Sequence, residues 1–230
     1  MSRLSKPQRV PLLCYVTDLR AISSRESGGA GAALLEKVAA AAAAGVDWIQ
    51  IREKHLPAKE CAALVREALQ CVANSPSSRN TQSHVIVNDR LDVALAAHAD
   101  GVHLAENGLP PHEARQLARQ RQREEDFLLG VSCHSLAAAK SAADAGADYV
   151  FFGPVFATPS KAAYGAPQGL ERLAEVCRAV SVPVLAIGGI TLENCSACLS
   201  AGAAGIAAIR LFQDETDLPG LVQSLRKASA

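Results

Sequence analysis

The chain has 230 residues, and its 23 basic side chains balance its 23 acidic ones. A general nucleic-acid or anionic-membrane binder carries a basic excess, so neither is expected as a partner. Aromatic residues make up only 4%, too few for stacking platforms along a single strand.

Residues 1–10 are polar and basic with no apolar stretch, unlike a secretory signal. They read as a flexible N-terminal segment of one domain over residues 1–230. Residues 12–17 form a short apolar run, the first expected strand. A Gly/Ser-rich connection over 23–31 follows, then an alanine-rich helical stretch. Alanine occurs 44 times and favours helix. Ala44-Gly45-Val46-Asp47-Trp48-Ile49 ends that helix on a glycine, which tolerates the left-handed cap, and opens strand two. A polar loop over 74–83 precedes strand three at 84–88. His98-Ala99-Asp100-Gly101-Val102 repeats the helix-stop-strand pattern for strand four. Residues 127–131 read as strand five, and Ala145-Gly146-Ala147-Asp148-Tyr149-Val150 as strand six. Residues 182–187 read as strand seven, and Ala201-Gly202-Ala203-Ala204-Gly205-Ile206 as strand eight. Asp47, Asp100, Asp148 and Ala204 align at spacings of 53, 48 and 56.

Strands near residues 12, 46, 84, 101, 127, 148, 182 and 204, each followed by a helical segment, predict a single (β/α)8 barrel, an α/β TIM barrel. A doubly wound sheet would want a glycine-rich dinucleotide loop after strand one, and there is none. No run of 18 apolar residues lacks a charge, so no membrane span is expected. The seven cysteines lack the dense spacing of a secreted scaffold. Cys195 and Cys198 have no second pair to complete a zinc site and read as small helix residues. A cytoplasmic protein is expected.

Barrel chemistry sits at the carboxyl ends of the strands. Strand two ends in Gln50-Ile51-Arg52-Glu53-Lys54, with Gln50 and Arg52 on one face by the period of two. Strand three ends in Asn88-Asp89-Arg90. The long loop after strand six carries Thr158, Ser160 and Lys161 and is a candidate lid. Basic residues, hydroxyls and an amide on one rim suit a phosphorylated ligand; the bland alternative is salt bridging to Glu53, Asp89 or Glu106. Gly188 and Gly189 after strand seven, with Ala208 and Ile209 at the end of strand eight, fit a backbone phosphate cradle. Ser132 and His134 close strand five. His134 is a candidate proton carrier, against the alternative that it merely neighbours a helix capped by Ser135. His103, inside strand four, reads as a hydrogen-bonded filler of the barrel.

These motifs, in this order, resemble the thiamine phosphate synthase and TenI (thiazole tautomerase) superfamily over nearly the whole chain. The specific pieces are Gln50-Ile51-Arg52-Glu53-Lys54, Asn88-Asp89-Arg90, Gly101-Val102-His103-Leu104, Gly153-Pro154-Val155-Phe156, Thr158-Pro159-Ser160-Lys161 and Ile187-Gly188-Gly189-Ile190-Thr191. The resemblance implies a barrel that binds a small thiazole phosphate. A homodimer is compatible with it.

Two chemistries are implied. The synthase branch couples an aminopyrimidine pyrophosphate to the thiazole with Mg²⁺, and its pattern has an Asp after strand four where this chain has Gly108. Asp89 is matched, and Glu106 could stand in as its metal partner. The basic and amide set Gln50, Arg52, Lys54, Asn88 and Lys161 is intact. The tautomerase branch moves a proton on a carboxythiazole phosphate and requires no cofactor. Its resemblance rests on Ser132-Cys133-His134-Ser135, with His134 as acid/base, and on Tyr164-Gly165-Ala166-Pro167-Gln168-Gly169. The missing carboxylate makes the tautomerase the expected activity and the synthase the alternative. A non-catalytic phosphate-ligand sensor is a third reading.

Overall fold

The computed structural model describes residues 10–22, 29–76, 82–121, 126–158 and 166–228. Strands β1 (Leu12–Val16), β2 (Trp48–Ile51), β3 (His84–Asn88), β4 (Gly101–Leu104), β5 (Leu128–Cys133), β6 (Tyr149–Phe152), β7 (Val184–Ile187) and β8 (Gly205–Ala208) form a closed barrel in sequence order. Every pairing, including β1 with β8, is parallel. The helices are α1 (Gly29–Ala44), α2 (Ala58–Asn74), α3 (Leu91–Ala97), α4 (Pro111–Gln120), α5 (Leu136–Asp144), α6 (Gly169–Ala179), α7 (Cys195–Ser200), α8 (Arg210–Gln213) and α9 (Leu218–Lys227). The expected (β/α)8 barrel is therefore the fold.

Alternation along the strands divides the core in two. Leu12, Cys14, Val16, Trp48, Ile86, Leu128, Tyr149, Phe151, Leu185 and Ala207 fill the barrel interior. Leu13, Ile49, Val85, Val102, Leu129, Val150, Val184 and Ile206 point outward and pack under the helices. The alanines serve this outer layer: Ala33, Ala41, Ala42 and Ala44 are buried on α1, and small faces let a helix approach the sheet closely. Cys195 and Cys198 are free and buried on α7. The connection expected over 23–31 is shorter than its composition indicates, because α1 already begins at Gly29. No described helix is long and apolar enough to cross a membrane.

The aligned aspartates explain the internal repeat. Asp47 donates its N–H to the Leu13 carbonyl (3.1 Å) and accepts the Leu13 N–H on its carboxylate (2.7 Å). Asp100 does the same with Val85 (2.9 and 2.7 Å), and Asp148 with Leu129 (2.7 and 2.8 Å). Each carboxylate thus joins an odd strand to the next even one at the amino-terminal end of the barrel. Ala204 keeps only the backbone half, N–H to the Val184 carbonyl at 2.8 Å. Arg226 of α9 pairs with Asp47 at 2.7 Å, and Arg115 of α4 with Asp148 at 2.6 Å.

Candidate active site

Gln50 projects into the barrel near the end of β2 and is 2% exposed. Its Nε2 donates to Asn88 Oδ1 on the neighbouring β3 at 2.9 Å. Its Oε1 is buried and has no partner among the described residues. Two positions on, Arg52 is half-buried and Lys54 exposed. Neither side chain is engaged among the described residues. Among the described residues neither is paired with Glu53, Asp89 or Glu106. Glu53 turns away from both: it accepts from Thr17 Oγ1 at 2.5 Å and from the Leu19 N–H at 3.0 Å. Burial pushes the Glu53 carboxyl above its usual range. Thr17 Oγ1 in turn accepts the Arg52 N–H at 3.0 Å, so these contacts fix the backbone under Arg52.

Asp89 follows β3 with a positive φ of 62°, a conformation that Asp adopts more readily than most residues. Its Oδ1 accepts the Ala105 N–H at 3.3 Å. Arg90 is forked onto Asp92 (2.8 and 2.6 Å), outside the barrel mouth. Gly108 lies against Asp89: a Cβ built on it would stand 3.3 Å from Asp89 Oδ1. The position where the synthase pattern carries its second Asp is thus beside the first.

On β5, Ser132 faces inward and is half-buried. Its Oγ lies 3.0 Å from His103 Nε2, and His103 Nδ1 lies 3.2 Å from Tyr149 Oη. Burial depresses the His103 pKa to about 3, so the ring is neutral at working pH. The expected filler is in place, but it is joined to a residue of the mouth. His134 stands just beyond β5, with its side chain 41% exposed. Glu106 Oε2 takes both its backbone N–H and its Nδ1, each at 2.7 Å. Ser135 caps α5 by accepting the Ala138 N–H at 3.1 Å.

Gly188 (φ 95°) and Gly189 (φ 67°) turn the chain after β7. Their Cβ directions are filled: a Cβ on Gly188 would sit 2.5 Å from Pro154 Cβ, and one on Gly189 2.6 Å from the Ala157 carbonyl oxygen. The glycine pair therefore also seats the loop after β6, a packing role that the sequence reading did not give it. Ala208 is buried, with its side chain in the outer layer, and Ile209 packs on the interior cluster. Thr158 is half-buried. Ser160, Lys161 and residues 164–165 lie outside the described residues.

The structure thus brings Gln50, Asn88, Ser132, Asp89 and His134 to the same end of the barrel, on or just beyond β2, β3 and β5. Tyr149 was missed by the sequence reading. The signal was available: interior positions recur every second residue, and register places His103, Gly130 and Tyr149 in one row.

This is a (β/α)8 barrel whose carboxyl end presents amide, basic and acidic groups fit for a small phosphorylated ligand. The sequence profile described as thiamine monophosphate synthase (TMP-TENI) matches residues 19–212. A protein of Geobacter sulfurreducens named putative thiamine-phosphate synthase is 44% identical over 85% of this chain and 86% of its own. The thiamine-phosphate synthase of Methanoculleus marisnigri is 43% identical over 87% of this chain and 90% of its own. Among solved structures, the thiamine phosphate pyrophosphorylase of Pyrococcus furiosus superposes with a TM-score of 0.76 at 32% identity, covering 96% of both chains. The chain belongs to the thiamine monophosphate synthase family.

Proposed function

We propose that this chain is a thiamine-phosphate synthase, a transferase that joins an aminopyrimidine pyrophosphate to a thiazole phosphate and releases pyrophosphate. The family relatives carry that name, which favours the synthase over the tautomerase expected from Gly108. The observation that carries the reading is Gln50 Oε1, buried and unpartnered beside Asn88. With Gln50 Nε2 spent on Asn88 Oδ1, the pair offers one free acceptor and the Asn88 amide N–H donors. An aminopyrimidine edge offers the complement, an exocyclic N–H and a ring-nitrogen lone pair. An unsatisfied buried acceptor costs about 1–3 kcal/mol, which such a ligand recovers.

In the coupling step the bond from the pyrimidine methylene to the pyrophosphate oxygen breaks, and the oxygen keeps the electron pair. The thiazole nitrogen then attacks the methylene carbon. Arg52 and Lys54, which have no carboxylate partner among the described residues, take the charge that develops on the leaving group. Gly188 and Gly189 supply backbone N–H groups for the thiazole phosphate, and Thr158, Ser160 and Lys161 are assigned to the same anionic ligands.

Mg²⁺ supplies further charge neutralisation for a departing pyrophosphate. It is commonly held by one or two carboxylates, with phosphate oxygens and water completing the shell. Asp89 fits as the single protein carboxylate; Glu106 is committed to His134, and the described residues contain no cluster of three metal-binding groups. Asp89 would hold the ion, and the substrate would provide much of the rest of its shell.

One observation favours the tautomerase as a second reading. Glu106 orients His134, which makes the imidazole a suitable proton carrier. Assaying both reactions on one preparation, with Mg²⁺ and with chelator, separates the two. Coupling that needs Mg²⁺ is the expected result. Tautomerisation without coupling, indifferent to chelator, overturns the synthase reading.

A further inference from the structure

A polar chain crosses the barrel interior from β6 to β4 and back to the mouth on β5. Register sets His103 opposite Gly130, and Gly130 opposite Tyr149. Gly130 has a specific consequence: a Cβ there would overlap Cζ and Oη of Tyr149. Its absence lets the phenol lie across β5 and reach His103 Nδ1 at 3.2 Å. Phe151 stacks on the imidazole, with centroids 4.1 Å apart and planes at 34°, and so holds the ring's rotation. The other ring nitrogen faces Ser132 Oγ at 3.0 Å. Tyr149 and His103 are sealed from solvent, whereas Ser132 is half-buried and opens toward the site.

A neutral imidazole has one donor and one acceptor nitrogen. The Tyr149 hydroxyl has no other hydrogen-bond partner among the described residues, so its proton goes to Nδ1. Nε2 then carries the ring hydrogen and donates it to Ser132 Oγ. With a lone pair of Oγ occupied from behind, the hydroxyl proton of Ser132 points outward. The opposite tautomer would reverse this, drawing the Ser132 proton inward and leaving only lone pairs at the mouth. We propose that Tyr149 and His103 are positioning residues that fix Ser132 as a one-way hydrogen-bond donor to an acceptor atom of the bound substrate. The substrate end of this proposal rests on the synthase reading of the site; the tautomer does not.

Two measurements test it. In the ligand-free protein, ¹⁵N spectra of the histidine rings should show His103 as the neutral Nε2–H tautomer, with Nδ1 unprotonated. In a double-mutant cycle on the coupling reaction, Tyr149→Phe should lower kcat about 10-fold with little change in KM, a loss within the range for contacting residues. The same substitution in a Ser132→Ala background should cost nothing further. His103→Gln, whose amide can still donate to Ser132, should retain more turnover than His103→Leu at matched folded fraction. An Nδ1–H tautomer in the native protein overturns the proposal, and so do losses from Tyr149→Phe and Ser132→Ala that simply multiply. If no coupling is seen at all, the synthase reading falls, and the ring spectra still decide the relay.

Discussion

The two ends of the barrel use the same residue types in opposite ways. At the amino-terminal end, Asp47, Asp100 and Asp148 are each spent on a backbone N–H, and Arg226 and Arg115 are spent on two of those carboxylates. At the carboxyl end, Gln50 Oε1 has no donor, and Arg52 and Lys54 have no carboxylate among the described residues. Polar groups that satisfy one another hold strands together. Polar groups left unsatisfied on a rigid frame are paired only when a ligand arrives. The difference lies in the position along the strand, since an Asp or Arg reads alike in composition at either end.

The comparison breaks first where the satisfied end is opened. Asp148→Ala removes the carboxylate partner of the half-buried Arg115, which keeps the Phe127 and Gly146 carbonyls, and the acceptor of the Leu129 N–H. Losing a partly buried charge pair and orphaning a buried N–H together cost about 3 kcal/mol. Denaturant unfolding should show that loss, while turnover per folded molecule stays near wild type. A variant that keeps its stability but loses turnover would make this end part of the active site.

Gln50→Leu should have the opposite signature. On the synthase reading it removes a hydrogen-bonding group that the aminopyrimidine would satisfy, so kcat/KM for coupling should fall about 10- to 100-fold, the equivalent of roughly 1.5–3 kcal/mol. It also removes a buried unpaired acceptor, so the folded state should lose little or gain. Steady-state kinetics and a urea titration on the same sample give both signs. A stability loss without a kinetic one would place Gln50 in the structural set.

His103 lies in the barrel interior between Tyr149 and Ser132, and pH exposes its burial. Its folded pKa of about 3 lies below the ordinary 6.5. The unfolded chain therefore takes up the proton first as pH falls. The stability associated with the neutral ring is complete above 6.5 and is lost toward 3, at about 1.4 kcal/mol per pH unit. Glu53, with its raised pKa, acts in the opposite sense: the folded state takes up its proton first, so its contribution rises as pH falls. The measurement is accordingly the difference between the wild-type and His103→Gln profiles, and the wild type should have the steeper acid loss.

The barrel was legible because glycine stops and short apolar runs recur at near-constant spacing, and all eight expected strands appear. Gln50, Asn88 and Ser132 were legible because the period of two puts them on one face. The cost of a buried amide oxygen was not, because it depends on where Asn88 sits across a strand pair. Glu53 entered the sequence reading only as an alternative salt-bridge partner for the basic rim, yet the fold buries it against Thr17 and the Leu19 N–H. Tyr149 was hidden behind Gly130: only register across three strands shows that the missing side chain makes room for a ring.

The aspartate repeat also yields the smallest expected effect. Ala204 is half-buried, as Asp47 and Asp100 are, and its N–H makes the same bond, to the Val184 carbonyl at 2.8 Å. In the other three copies the residue whose carbonyl accepts that bond also gives its own N–H to the carboxylate. At the β7–β8 seam the equivalent donor is the Val184 N–H, and alanine offers it nothing. Ala204→Asp should supply the acceptor and gain about 0.5–1.5 kcal/mol, the net worth of one such hydrogen bond. The added carboxylate must be taken partly out of water to make that bond, so the gain should stay at the lower end of that range. A rise in the urea midpoint with unchanged coupling rate would show that the seams are equivalent and that this end is purely structural. A fall would mean that the fourth seam differs from the other three in more than one side chain.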